Sequence, residues 1–183
     1  GSSSDGWPDP IEGPTSAGTW YYPGGGVHLG VDRAVSVGTP IHAPADGLIV
    51  WAANPADTNG GYLGNWAGYP YGAGNNIAML VRVNDTTYFV SFSHMAQYGM
   101  TVSAGDSVSQ GDVIGLTGNS GNSSGAHCHI EIINLGSMSI SEAASQFAST
   151  ADFAWGCGWS SPSTGCDSKG STPCRERPET LIG

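Results

Sequence analysis

At 183 residues the chain has the length of one domain and can bury a sizeable core. Only 11% of its residues are charged while glycine numbers 29, and Ser, Thr and Asn are abundant, the balance of a loop-rich β protein kept soluble by uncharged polar groups. A net charge of -10 speaks against nucleic acid and anionic membrane as partners, since both demand cationic patches, and no apolar run reaches transmembrane length.

Residues 1–19 form a lead-in rich in Pro, Ser and Gly, and the opening G-S-S-S without Met reads as an expression remnant on an excised domain, so an export signal is not expected in it. From Ile41 to Ala52, β-branched and apolar residues broken by A-P-A-D-G predict two strands around a turn. Residues 54–75 are the longest irregular stretch, and loops of that length in a compact domain are usually functional or disordered. Tyr62, Trp66, Tyr69 and Tyr71 alternate there with glycines, which fits either flat peptide-binding surfaces or aromatics packed on the domain. Asn76–Val83 and Thr86–Met95 are predicted strands joined by the two-residue hairpin turn Asn84-Asp85. Val102–Val108 and Val113–Thr117 follow as short strands, with Asp46, Asp106 and Asp112 as turn formers beside glycine, and His127–Ile133 is a core strand. Only Ser139–Ser149 is predicted helical, with Ser139 as N-cap and Glu142 placed to close a capping box. The fold class expected is all-β: one domain of antiparallel sheet with long groove-forming loops and one short C-terminal helix. The divisions expected are the lead-in 1–19, a core 20–135 and an extension 136–183 packed on the core.

The four cysteines permit at most two disulfides. Cys157, Cys166 and Cys174 cluster in a Gly-, Ser- and Pro-rich tail with little apolar surface, where a staple suits an oxidising compartment. A second metal site is the rival, but no C-x-x-C is present and no His follows residue 129. Cys128 faces away from its flanking histidines, as a buried thiol or a bridge to the tail.

The chemistry concentrates in three places: His28 and Asp32 in H-L-G-V-D, His94 in S-F-S-H-M, and His127 with His129 in H-C-H. In a strand the two imidazoles of H-C-H share one face. His28 and Asp32 lie four residues apart, with Gly30 allowing a tight bend between them. Two ligands from that segment and a third from H-C-H satisfy a catalytic zinc, which takes three protein ligands and keeps a fourth position open for water. One His of H-C-H, together with His94, is left to handle protons. Alone, H-x-H and H-x-x-x-D are weak signals, and a lone His such as His42 is more often a structural hydrogen-bonding group. Gly121–Gly125 matches G-x-S-x-G, but a Gly-Asn-Ser run precedes it, a strand rather than a helix follows it, and no His lies beyond residue 129 where that motif needs one much later in the chain, so it reads as a Gly/Ser-rich turn. Neither H-E-x-x-H nor a phosphate-binding G-K-[ST] occurs.

These residues and their flanks, G-G-G-V-H-L-G-V-D (24–32), V-G-T-P-I-H-A-P-A-D-G-L-I-V (37–50), S-H-M (93–95) and G-D-S-V-S-Q-G-D-V-I-G-L-T-G-N-S-G-N-S-S-G-A-H-C-H-I-E-I (105–132), resemble the lysostaphin/LytM-type zinc endopeptidases of bacterial cell walls. The resemblance runs in order over residues 18–135, with Cys128 and the insertion 54–75 as departures. It implies one Zn2+ held by His28, Asp32 and His129, with His94 and His127 as catalytic histidines. It further implies hydrolysis of peptidoglycan peptide bonds involving Gly or Ala, outside the cell or in the wall, as a bacteriolytic and antimicrobial activity of host, phage or bacteriocin type. A monomer is expected. The alternative is a non-catalytic peptidoglycan-binding or regulatory member of the same fold, which usually shows itself by lost ligands.

Overall fold

Long runs of β-branched and aromatic residues, buried on both faces over most of the two longest strands, set the architecture. The computed structural model describes residues 10–11, 15–17, 20–21, 27–28, 30–53, 74–96, 98–119, 127–150, 152–153, 155–156, 165–176 and 178. Among them the strands are β1 (Thr15–Ala17), β2 (Trp20–Tyr21), β3 (Val27–His28), β4 (Val31–Arg33), β5 (Pro40–His42), β6 (Gly47–Ala53), β7 (Asn75–Val83), β8 (Thr86–Met95), β9 (Ser107–Val108), β10 (Val113–Leu116), β11 (Cys128–Asn134) and β12 (Cys174–Glu176). The helices are α1 (Ile140–Thr150) and the single turn α2 (Cys166–Lys169). One sheet runs in the order β1-β4-β11-β8-β7-β6-β9, while β5 pairs with β10 and β2 with β3. Every named strand pair is antiparallel. The all-β antiparallel fold expected from the sequence is the fold observed, with α2 as a small addition.

β11 is the spine of the sheet. One edge pairs with β8, from His129 opposite Ser93 to Asn134 opposite Tyr88. The other edge is shared: β4 pairs with Cys128–Ile130 and β12 with Ile132–Asn134. Because side chains alternate across a strand, Cys128, Ile130 and Ile132 face one way with Phe92, Val90 and Met79, and join the larger core with Ile49 and Ile77. His129, Glu131 and Ile133 face the other way. On that second face Ile133, Phe89, Leu80 and Ala78 form an apolar cluster under α1, with Phe147, Phe153 and Trp155. The polar residues at one end of this face make the site described below.

Local signals were realised where the chain had one good choice. Asn84 and Asp85 take φ of 52° and 62°, the left-handed pair that a tight antiparallel hairpin needs. Ser139 caps α1, its hydroxyl accepting the Glu142 N–H at 3.1 Å and donating to the Glu142 carboxylate at 3.2 Å. Asp106 and Asp112 accept the backbone N–H groups of Ser103 and Ser109, each at 2.9 Å, and Asp46 accepts that of Gln110 at 2.8 Å. The Asp106 turn also shortens the strand expected over Val102–Val108 to Ser107–Val108, because residues 103–106 close on themselves. His42 is structural, its Nδ1 lying 3.1 Å from the Gly111 carbonyl oxygen.

The tail is stapled by a Cys166–Cys174 disulfide. Cys128 is an unbridged thiol in the larger core, where burial and then the nearby Asp32 charge push its pKa far above the thiolate range. Cys157 and the aromatic stretch from Tyr62 to Tyr71 lie outside the described residues.

The aromatic cluster under α1 yields a direct test. Phe147 is buried against Phe89 and Phe153, with ring centroids 5.2 and 5.3 Å away. Phe147→Ala is expected to lower the unfolding free energy by about 3–5 kcal/mol, measured by urea denaturation. A loss below about 1 kcal/mol would show that α1 is not part of the cooperative core.

Candidate functional site

Asp32 stands on β4 directly opposite His129 on β11, a pairing that turns both side chains to the same face. Asp32 Oδ1 lies 2.9 Å from His129 Nδ1 and 3.7 Å from His127 Nε2. His127 precedes β11 and is held by an isolated antiparallel bridge to Gly118. Its position two residues before His129 puts both rings on one side, as the alternation of H-C-H requires.

His94 reaches this group by breaking the rule that places the other two. Ser93 is opposite His129, so a regular β8 would turn His94 to the far face. Instead the β7–β8 register slips: Ile77 is opposite Phe92 but Asn75 is opposite Met95, giving β8 one extra residue. His94 takes φ of 62° within this bulge. Bulges re-aim side chains in this way, and non-glycine residues held in the left-handed region cluster at functional sites. The His94 ring comes to lie 4.7 Å from that of His127 and 6.2 Å from that of His129, centroid to centroid. The structure therefore brings together Asp32, His94, His127 and His129. His28 is placed by its backbone alone, opposite Trp20 in the small β2–β3 sheet, and its side chain lies outside the described residues.

Glycine allows these strands to meet. A Cβ on Gly30 would stand 2.1 Å from the Ile130 carbonyl oxygen, and one on Gly118 would stand 2.5 Å from the Ala96 nitrogen. The tight bend expected at Gly30 is thus less the point than the absence of a side chain. Its φ lies outside the left-handed region, and what the position needs is room for β4 against β11.

A second carboxylate, which motif reading passed over, completes the arrangement. Glu131 Oε2 lies 2.8 Å from His129 Nε2, so both nitrogens of that ring face carboxylates. Arg175 on β12, only 1% exposed at its side chain, donates from Nη1 to Glu131 Oε1. Burial opposes protonation of His129, but the hydrogen bonds and charges of Asp32 and Glu131 outweigh it and raise its pKa to about 9. For Glu131 burial alone would raise the pKa, whereas the bond to His129 and the Arg175 charge bring it down to about 2. Glu131 could have been found from the strand period, two residues past His129. Arg175 had no local signal, being 44 residues away in the chain.

The donors suit a metal. Asp32 Oδ1 and His129 Nδ1 converge around a proton that a divalent ion can displace, since imidazole ligands bind deprotonated. Imidazole nitrogen with carboxylate oxygen is a set that zinc accepts. Among the described residues, the three donors that lie within 4.8 Å of one another are those of Cys166, Cys174 and Glu176, but the two sulfurs are joined to each other.

Residues 26–140, most of the chain and all of this cluster except Arg175, match the sequence model of Peptidase family M23. The chain belongs to that family. Among M23 relatives it is 34% identical over 109 residues to the peptidoglycan DD-endopeptidase ShyA of Vibrio cholerae, covering 60% of this chain and 21% of ShyA. It is 35% identical over 107 residues to the glycyl-glycine endopeptidase ALE-1 of Staphylococcus capitis, covering 58% of this chain and 25% of ALE-1. The chain thus spans about a quarter of the length of these relatives. The catalytic domain of the antimicrobial peptidase lysostaphin from Staphylococcus simulans superposes with a TM-score of 0.51 at 31% identity, over 70% of this chain and 85% of that domain. The resemblance to lysostaphin/LytM-type enzymes read from the motifs is borne out.

The close approach at Gly30 can be tested without any ligand. Gly30→Ala forces β4 away from β11 and is expected to reduce stability by about 1–3 kcal/mol. Urea denaturation of the metal-free protein measures it, and an unchanged midpoint would show that the two strands separate without cost.

Proposed function

We propose that this chain is a zinc-dependent endopeptidase that hydrolyses peptide bonds in bacterial peptidoglycan. The observation that carries the reading is the convergence of Asp32, His94, His127 and His129, the last two on one strand face and His94 brought in by a strained bulge. Membership of family M23 supports peptidase chemistry. The relatives named a peptidoglycan DD-endopeptidase and a glycyl-glycine endopeptidase support wall peptides with small residues, a bond involving Gly or Ala.

In this reading His28, Asp32 and His129 hold one zinc ion. Zinc bound there supplies Lewis acidity that polarises the scissile carbonyl and acidifies the attacking water. His127 accepts the proton of that water as general base, and the Asp32 carboxylate 3.7 Å away stabilises the imidazolium that results. His94, ring to ring with His127, donates a hydrogen bond to the developing oxyanion or passes a proton to the leaving amine. The domain reading is a core over 20–135 carrying this chemistry, with 136–183 as an extension packed on it. The Cys166–Cys174 disulfide supports action outside the cell, where such bonds persist. We read the protein as a bacteriolytic monomer.

His129→Ala and Asp32→Ala are expected to lose most of their zinc in elemental analysis. His94→Ala and His127→Ala are expected to keep zinc but cut peptidoglycan roughly 100-fold more slowly or worse. Digestion of purified peptidoglycan from several species, with mass spectrometry of the fragments, reads rate and bond together. Zinc lost in His127→Ala but kept in His129→Ala would exchange their roles. Intact zinc with no fragments from any wall would favour a binding or regulatory member.

A further inference from the structure

The C-terminal extension delivers one residue to the polar end of the sheet. β12 lies along the same edge of β11 as β4 does, and it sets Arg175 opposite Ile133, on the face that carries Glu131 and His129. The Arg175 guanidinium is almost wholly buried, where a charge is costly unless a partner compensates it. That partner is Glu131, whose two oxygens divide their work: Oε1 accepts from Arg175, and Oε2 meets His129 Nε2 at 2.8 Å. A carboxylate held at both oxygens has no freedom to swing away from the ring. With its Nε2 hydrogen committed to Glu131, the His129 ring presents Nδ1 toward Asp32 at 2.9 Å.

We propose that Arg175 is a positioning residue of the metal centre, acting through Glu131 to fix the tautomer and orientation of His129. The extension is then part of the site as well as of the fold, with the Cys166–Cys174 disulfide and the bridge between Gly165 and Arg175 holding β12 in place. Carboxylate partners of metal-binding imidazoles act in this manner, and losing one usually costs 10–100-fold in metal affinity. This inference rests on the reading of His129 as a ligand.

The test measures the zinc dissociation constant of the full chain by competition with a chromophoric chelator, alongside the thermal midpoint of the metal-free protein. Arg175→Met is expected to weaken zinc binding about 10–100-fold, and Arg175→Lys, which keeps a charge beside Glu131, to recover part of that loss. Glu131→Gln should weaken zinc comparably. Adding Arg175→Met to Glu131→Gln should cost little more, because the two act in series. The double variant leaves no buried charge without its partner, so it keeps the test informative if Arg175→Met alone does not fold. A role confined to holding the fold predicts a lower thermal midpoint with wild-type zinc affinity in the folded protein, and that result overturns the proposal. So does wild-type affinity in the double variant, or a loss there equal to the two single losses multiplied together. If His129→Ala binds zinc as tightly as the wild-type chain, the assignment of the ligand itself has failed and this inference falls with it. Normal loss in His129→Ala with no effect of Arg175 sinks the relay alone.

Discussion

The antiparallel pairing of β11 on both its edges is the constraint on which the rest of this molecule depends. β8 occupies one edge, while β4 and β12 share the other end to end, so chain segments far apart in sequence are brought to a single seven-residue strand. The pairing demands that backbones approach at ladder distance, and Gly30 meets that demand beside Ile130, where any Cβ would collide with a carbonyl oxygen. It also fixes what faces what. Once His129 is opposite both Ser93 and Asp32, the two sides of β11 are assigned, apolar Cys128, Ile130 and Ile132 to the larger core and His129 and Glu131 to the other face.

That other face changes character along its length. Toward α1 it is an aromatic cluster of Phe89, Phe147, Phe153 and Trp155. Toward the other end it is a chain of complementary charge running from Asp32 through His129 and Glu131 to Arg175. Largely buried charges of this kind are tolerated only when each is matched, and here every link is a hydrogen bond between ionisable groups. The match explains the direction of both shifts: a carboxylate on either side favours the His129 imidazolium, and a cation on either side favours the Glu131 anion. The same arrangement holds His129 Nδ1 against Asp32.

His94 joins the cluster against regular structure. Every other member of the cluster follows from strand alternation. His94 arrives through an extra residue in β8 and a left-handed backbone, conformations that cost free energy and persist only where the surrounding sheet over-determines them. The rigid pairing of β7, β8 and β11 supplies that support.

Much of this was legible in the sequence because it is local. The β period of H-C-H put His127 and His129 on one side and Cys128 on the other, Asn84-Asp85 marked the hairpin, and Ser139 with Glu142 marked the start of α1. The motif segments, read together in order, carried the family. Other features were decided only by the tertiary structure. Val31–Arg33 is too short to announce itself as a strand, and it becomes one because β11 offers an edge. The bulge at His94 depends on the slip between β7 and β8, which no residue type in S-F-S-H-M specifies. Arg175, in a Gly-, Ser- and Pro-rich tail, carries no pattern linking it to Glu131 until the disulfide and β12 bring it there. Sequence by itself determined the longer elements and the chemistry of the side chains, since propensity and alternation act over a few residues. Which distant side chains share a face, and which carboxylate holds which imidazole nitrogen, was decided by strand register, a property of pairs of segments that neither segment contains alone.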